Sequence, residues 1–183
     1  MEDYPWYSST SSDNSILLQG DLLPGCPILI PPVELKDNMV IKVEQYNVVV
    51  MSQSCDLENG KVEFVLVCPY YTFSDYLTFL SEQERKSKKA VKKTFDNLRQ
   101  GIQPNYHLLN KDIDKGIQDY LVVDFRNVYS VHIAFVKSFS ANLSTKITLL
   151  PPYREHLSQA FARFFMRVGL PQNIPVIDEN DYI

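Results

Sequence analysis

The chain has 183 residues, 45% hydrophobic and 22% charged, a length and balance that suit one globular domain whose core needs neither disulfides nor metal. A net charge of -4 argues against a generically basic nucleic-acid binder, and three cysteines without paired spacing argue against a disulfide framework and fit a reducing compartment. No apolar run approaches the ~20 residues of a membrane span, and Met1-Glu2-Asp3-Tyr4 carries no positive charge, so a cytoplasmic protein is expected, neither secreted nor membrane-inserted.

Residues 1-15 are polar and Ser-rich, with Tyr4, Trp6 and Tyr7 near the front, and read as a mobile arm that its aromatics could dock. The stretch "LLQGDLLPGCPILIPP" breaks its apolar residues with Gly and Pro and suits a short edge strand entering a loop. Met39 to Val43 and Tyr46 to Met51 read as β. Asn59-Gly60 between Val- and Phe-rich runs predicts a type I′ hairpin, which would set Leu57 against Val62, Cys55 against Phe64 and Asp56 against Glu63. The last pairing opposes like charges, so the ladder should break at Asp56 or a cation should lie nearby.

From Ser74 to Gly116 the period changes and a helical insertion is expected. Val91, Phe95, Leu98 and Ile102 recur at helical spacing, Ser81 and Glu84 form a capping pair, and Gly101 stands near the end. "DYLVVDF" and "VYSVHIAFV", joined at Arg126-Asn127, then return to strands, followed by "TKITLL". Pro151-Pro152 opens a last helix with Leu157, Phe161, Phe164 and Val168 on one face, and Gly169 and Pro171 close it. Residues 172-183 read as a loose acidic tail. Together these elements predict a single α+β domain: a bent antiparallel sheet or SH3-like partial barrel with a helical insertion and a C-terminal helix packed on it.

Two basic surfaces stand out. Between Glu82 and Arg99 seven basic and three acidic residues leave the segment at +4 and the rest of the chain at -8. Arg85, Lys88, Lys89, Lys92 and Arg99 share one face of that helix, opposite its apolar stripe, and suit phosphates or an acidic partner. On the last helix His156, Arg163 and Arg167 fall at i, i+7 and i+11 on a second face, where Arg can fork an oxyanion and His can titrate. The polar insert Ser52-Gln53-Ser54-Cys55-Asp56 could add a rim of contacts. Cys55 would be a nucleophile only beside a base such as His107, His132 or His156; otherwise it is a small core residue alternating with Leu57. Cys26, Cys55, Cys68 and the three His are scattered, and neither a metal site nor a cofactor motif is expected.

Gly20-Asp21, the run Val48 to Ser52 and the run Val67 to Thr72 occur in an order that resembles the PemK/MazF family of small toxins from toxin-antitoxin pairs. The resemblance covers about residues 19-72 and implies an SH3-like barrel. It further implies cleavage of single-stranded RNA, with Thr72 matching the hydroxyl that ends the third motif. No Arg or Lys lies between Val43 and Asn59, so the family's catalytic Arg has no counterpart at its place. The leading expectation is therefore a non-enzymatic binding module for nucleic acid, RNA before DNA, or for a protein partner. It would act through Arg85, Lys88, Lys89, Lys92, Arg163, Arg167, Ser52, Ser54 and Asp56, and a homodimer is compatible with it. The alternative is a PemK/MazF-like endoribonuclease, for which Thr72, Cys55 and His156 are the candidate catalytic groups.

Overall fold

A computed structural model describes residues 4-11, 16-34 and 40-166. The chain order is β1 (Tyr7–Ser11), β2 (Asp21–Ile30), β3 (Lys42–Val50), α1 (Ser54–Glu58), β4 (Phe64–Thr72), α2 (Phe73–Phe79), α3 (Glu82–Arg85), α4 (Lys88–Arg99) and β5 (Tyr106–Leu109). It continues through β6 (Leu121–Asp124), β7 (Tyr129–His132), α5 (Ile133–Ala141) and β8 (Thr145–Leu149) to α6 (Tyr153–Phe165). The strands form one open antiparallel sheet in the order β1-β8-β2-β3-β4-β6-β5, with β7 also paired to β4, which makes the molecule an α+β protein with a C-terminal helix.

The uninterrupted Val48-Val49-Val50 run explains how the sheet buries both faces. Successive strand side chains point to opposite sides, and Val49 joins a cluster with Leu22, Cys68, Tyr70, Val123 and Leu157 while Val48 and Val50 join another with Leu23, Val65, Val67 and Val136. Helix α6 covers the first face through Leu157, Phe161 and Phe164. On the second, α1 contributes Leu57 and α5 contributes Val136. Further along β6, Val122 sits with Tyr76 of α2 and Leu98 of α4 in a third, smaller cluster. The helices inserted between β4 and β5 therefore cap one end of the sheet.

Several expectations are corrected. Tyr7–Ser11 is no arm: it pairs with β8 over Tyr7↔Leu149 to Ser11↔Thr145, and Trp6 stacks on Tyr153 at 3.6 Å between ring centroids. Strand β2 is not short but ten residues long; it is interior only at Asp21 and Leu22, which pair with β8, while the rest of it pairs with β3 on one side. Pro24 is tolerated because a bulge at Pro24-Gly25 shifts the register, with Gly25 at φ +66, and Pro27 lies beyond the two residues that pair with β8.

Asn59-Gly60 closes a helix, not a hairpin. Asn59 keeps a negative φ of -84, Gly60 alone takes φ +61, and the Lys61 amide donates to the Asp56 carbonyl at 3.0 Å, a Schellman closure of α1. Cys55 is consequently exposed, not an inward hairpin residue, and Phe64 pairs with His132. The Asp56-Glu63 conflict dissolves: Asp56 lies 3.9 Å from Lys61 and Glu63 lies 3.8 Å from His132. The insertion is not wholly helical, since it includes the edge strand β5. The run "VYSVHIAFV" splits at His132, whose Nδ1 accepts from the Ala134 amide at 3.2 Å and starts α5. Gly169, Pro171 and the tail 172-183 lie outside the described residues.

Candidate nucleic-acid interface

The basic helix is built in two pieces. Ser81 and Glu84 form the expected capping box of α3, and the chain then breaks so that Ser87 restarts it, its hydroxyl accepting from the Ala90 amide at 3.2 Å. The break gathers Arg85, Lys86, Lys88 and Lys92 along a shallow groove of about 650 Å³ floored by Phe73, Val91, Phe95 and Tyr120. Phe95 meets Phe73 and Tyr120 edge-on at 5.3 and 4.7 Å, and Lys111 sits 5.5 Å over the Tyr120 ring. The one acid of the groove, Asp119, is occupied by the Ser74 amide and hydroxyl at 2.9 and 2.7 Å and by the Tyr120 amide at 2.8 Å. None of Arg85, Lys88, Lys89 and Lys92 has an ion-pair partner among the described residues. Lys89 is exposed but does not line the groove.

At the other end of α4 a cleft of about 300 Å³ joins residues that the sequence placed on separate surfaces. Arg99 of α4 faces His156, Gln159 and Arg163 of α6, with His107 of β5 in its wall. Burial first, and the neighbouring His156 second, push the His107 imidazole down to about 4, so it is neutral at pH 7. Arg99 is held near Asp96, with Nη2 3.5 Å from the carboxylate. The basic face adjoins the apolar stripe and does not oppose it as expected: Lys88, Lys92, Phe95 and Arg99 fall at i, i+4, i+7 and i+11, so one stripe of α4 runs from the groove to the cleft, about 16 Å at 1.5 Å per residue. Arg167 lies outside the described residues.

The polar insert has a fastening role. The Ser52 hydroxyl accepts from the Leu66 amide at 2.9 Å and the Ser54 hydroxyl from the Gln19 amide at 3.0 Å, which ties the loop to β4 and to the approach of β2. Thr72 caps α2: its hydroxyl donates to Asp75 at 2.7 Å and accepts from the Asp75 amide at 3.0 Å. Leu66, bonded to Ser52, and Thr72 are six residues apart on β4, about 20 Å at the rise of a strand. Neither Cys55 nor Thr72 lines the cleft that holds His156.

Gly20-Asp21 likewise has a structural explanation. Gly20 takes φ +85, and a Cβ there would come 3.0 Å from Leu149 Cβ, so any other residue would be strained. Asp21 is fully buried against Lys146 at 3.1 Å, the Thr148 hydroxyl at 2.5 Å and the Leu18 amide at 2.9 Å. Burial raises its carboxyl while these partners oppose the rise.

One cluster escaped the sequence reading. Asp124, Arg126 and Asn127 sit at the join of β6 and β7 beside Tyr71, Tyr76, Phe79 and Tyr106. The one available signal was a charged pair, Asp124 and Arg126, between two strand-like runs at the position read as a simple turn.

Among the described residues no helix is long and apolar enough to cross a membrane, and no group of three His, Cys, Asp or Glu is placed to hold a metal ion. No family model, curated protein or solved structure matches the chain.

Proposed function

We propose that this protein binds single-stranded RNA along α4, from the aromatic basic groove at its N-terminal end toward the Arg99-His156-Arg163 cleft at the other. The observation that carries the reading is the groove itself: four cationic side chains over a floor of three aromatic rings, its one acid already engaged. Cations along a groove take the phosphates, and ring faces and edges take unstacked bases, a pairing suited to single strands and not to a closed duplex. The -8 carried by the rest of the chain turns bulk polyanion away from other faces and leaves the α3-α4 segment as the entry surface.

Binding of a labelled mixed-sequence RNA, measured by anisotropy over a salt series, tests it. The double variant Lys88→Gln, Lys92→Gln should bind about tenfold more weakly near 0.1 M salt, and its slope of log affinity against log salt should flatten by about 1.4. Unchanged affinity and slope would reject the reading. A protein partner that co-purifies through nuclease treatment and is lost in the same variant would assign the groove to that partner instead.

A second reading, a PemK/MazF-like endoribonuclease, draws on the cleft. A neutral His107, a second imidazole on His156 and two guanidiniums are groups that metal-independent phosphodiester cleavage can use as base, acid and counter-charge. Intact RNA after prolonged incubation with the native protein would exclude it; cleavage lost in His156→Ala would support it.

A further inference from the structure

The β6-β7 join is a built pocket that strand binding on α4 does not use. Between Tyr70↔Val123 and Val67↔Tyr129, β4 advances three residues while its partner chain advances six, so three extra residues are extruded from the ladder. Buried Asp124 organises them. Its Oδ1 accepts from the Arg126 amide and Nε, both at 2.9 Å, and its Oδ2 from Arg126 Nη2 at 2.8 Å and Asn127 Nδ2 at 3.1 Å. The Tyr106 ring lies 4.7 Å beneath the guanidinium.

This grip fixes the planar fork by one edge, through Nε and Nη2, with Nη1 on the opposite edge, and the side chain as a whole is 54% exposed. Arg126 is thus oriented in advance, and it lines a cavity of about 200 Å³ together with Tyr71, Phe79, Tyr106 and Asn127. Phe79 is 65% exposed and meets Tyr71 edge-on at 5.0 Å, so one of its faces is open to a flat ligand. A cavity below the ~300 Å³ that encloses whole ligands suits the end of one.

We propose that this pocket binds a nucleoside monophosphate group, as a free nucleotide or as the phosphorylated end of a strand, with the phosphate on the Nη1 edge of Arg126 and the base against Phe79. Two features point to this class together: a preoriented guanidinium suits a tetrahedral oxyanion, and an exposed ring a few ångströms away suits a planar base. No lysine of α4 lines the pocket, so the site is separable from the proposed strand path.

Calorimetric titration with AMP, CMP, GMP and UMP, beside their nucleosides and inorganic phosphate, tests the assignment. At least one monophosphate should bind about tenfold more tightly than its nucleoside and than phosphate, and should shift the Arg126 Nε–H resonance. Arg126→Lys, which keeps the charge and loses the fork, should weaken binding about tenfold. Phe79→Ala, at a surface ring on which the fold does not depend, should weaken it at least threefold. Lys88→Gln, Lys92→Gln should bind the nucleotide as the native chain does, whatever becomes of RNA binding. Trinucleotides with and without a 5′-phosphate separate the two sources: a preference for the phosphorylated trimer over the free monophosphate assigns the site to strand ends, and the reverse assigns it to free nucleotide. Three results would each overturn the proposal: no binding by any monophosphate or phosphorylated trimer, phosphate alone binding as tightly as the nucleotides, or native affinity in both Arg126→Lys and Phe79→Ala.

Discussion

His107 shows how one buried side chain links stability to the cleft it lines. Its folded value near 4 lies below the ordinary 6.5 of an unfolded imidazole, so between those values the unfolded chain binds more protons than the folded one. Stability should therefore fall as pH drops from about 6.5 toward 4, by about 1–2 kcal/mol once the partial exposure of the ring is allowed for. Urea midpoints at pH 7 and pH 4.5 measure the fall, and His107→Phe should remove that part of it that His107 supplies. Nothing in "NYHLLN" marks this histidine out from the other two; its neutrality comes from Phe125 and α6 closing over it. The same holds in reverse for Ser52, Ser54 and Thr72. Their residue types suggested chemistry, yet each hydroxyl is spent on a backbone amide, a use set by loop geometry that spacing alone does not reveal.

At the scale of elements, the signals that survive are those in which local chemistry and tertiary packing agree. The Ser81-Glu84 capping pair and the apolar stripe of α4 are such cases, and so is α6, entered at Pro152 and packed through Leu157. Asn59-Gly60 shows the opposite, since a residue with positive φ serves a hairpin and a helix end alike, and burial of Leu57 decides between them. The distinction has a measurable consequence. A type I′ turn needs positive φ at both central residues, whereas here only Gly60 has it, with open space where a Cβ would stand. Gly60→Ala should cost about 1 kcal/mol in denaturant unfolding from backbone strain alone, Gly60→Asn less, and Asn59→Ala little beyond its side-chain bond to the Cys55 carbonyl at 2.6 Å. A large loss at Asn59 comparable with that at Gly60→Ala would restore the hairpin. Strand β1 was missed because its Ser-rich sequence carries no alternation of hydrophobicity: Tyr7 is its one large apolar side chain, deeply buried, and the strand is recruited by the edge of β8.

For the molecule as a whole, the α+β class and the place of most strands along the chain were readable because apolar runs of this length have few alternatives to a sheet buried on both faces. What could not be read was convergence. Arg99 and the His156-Arg163 pair sit more than fifty residues apart in sequence and meet only because β5 closes the sheet edge between α4 and α6. Since one strand, β3, supplies Val49 to one core and Val48 and Val50 to the other, the two faces cannot melt independently without tearing a shared backbone. Trp6 reports on the first face through its stack on Tyr153, while Leu57 belongs wholly to the second. Leu57→Ala should cost about 2–4 kcal/mol, and Trp6 fluorescence and far-UV circular dichroism should shift together to one lower denaturant midpoint. If the fluorescence midpoint stayed at its native value while the dichroism moved, the two faces would be separate folding units, and the α4-α6 cleft would be a junction between them and not part of one rigid binding surface.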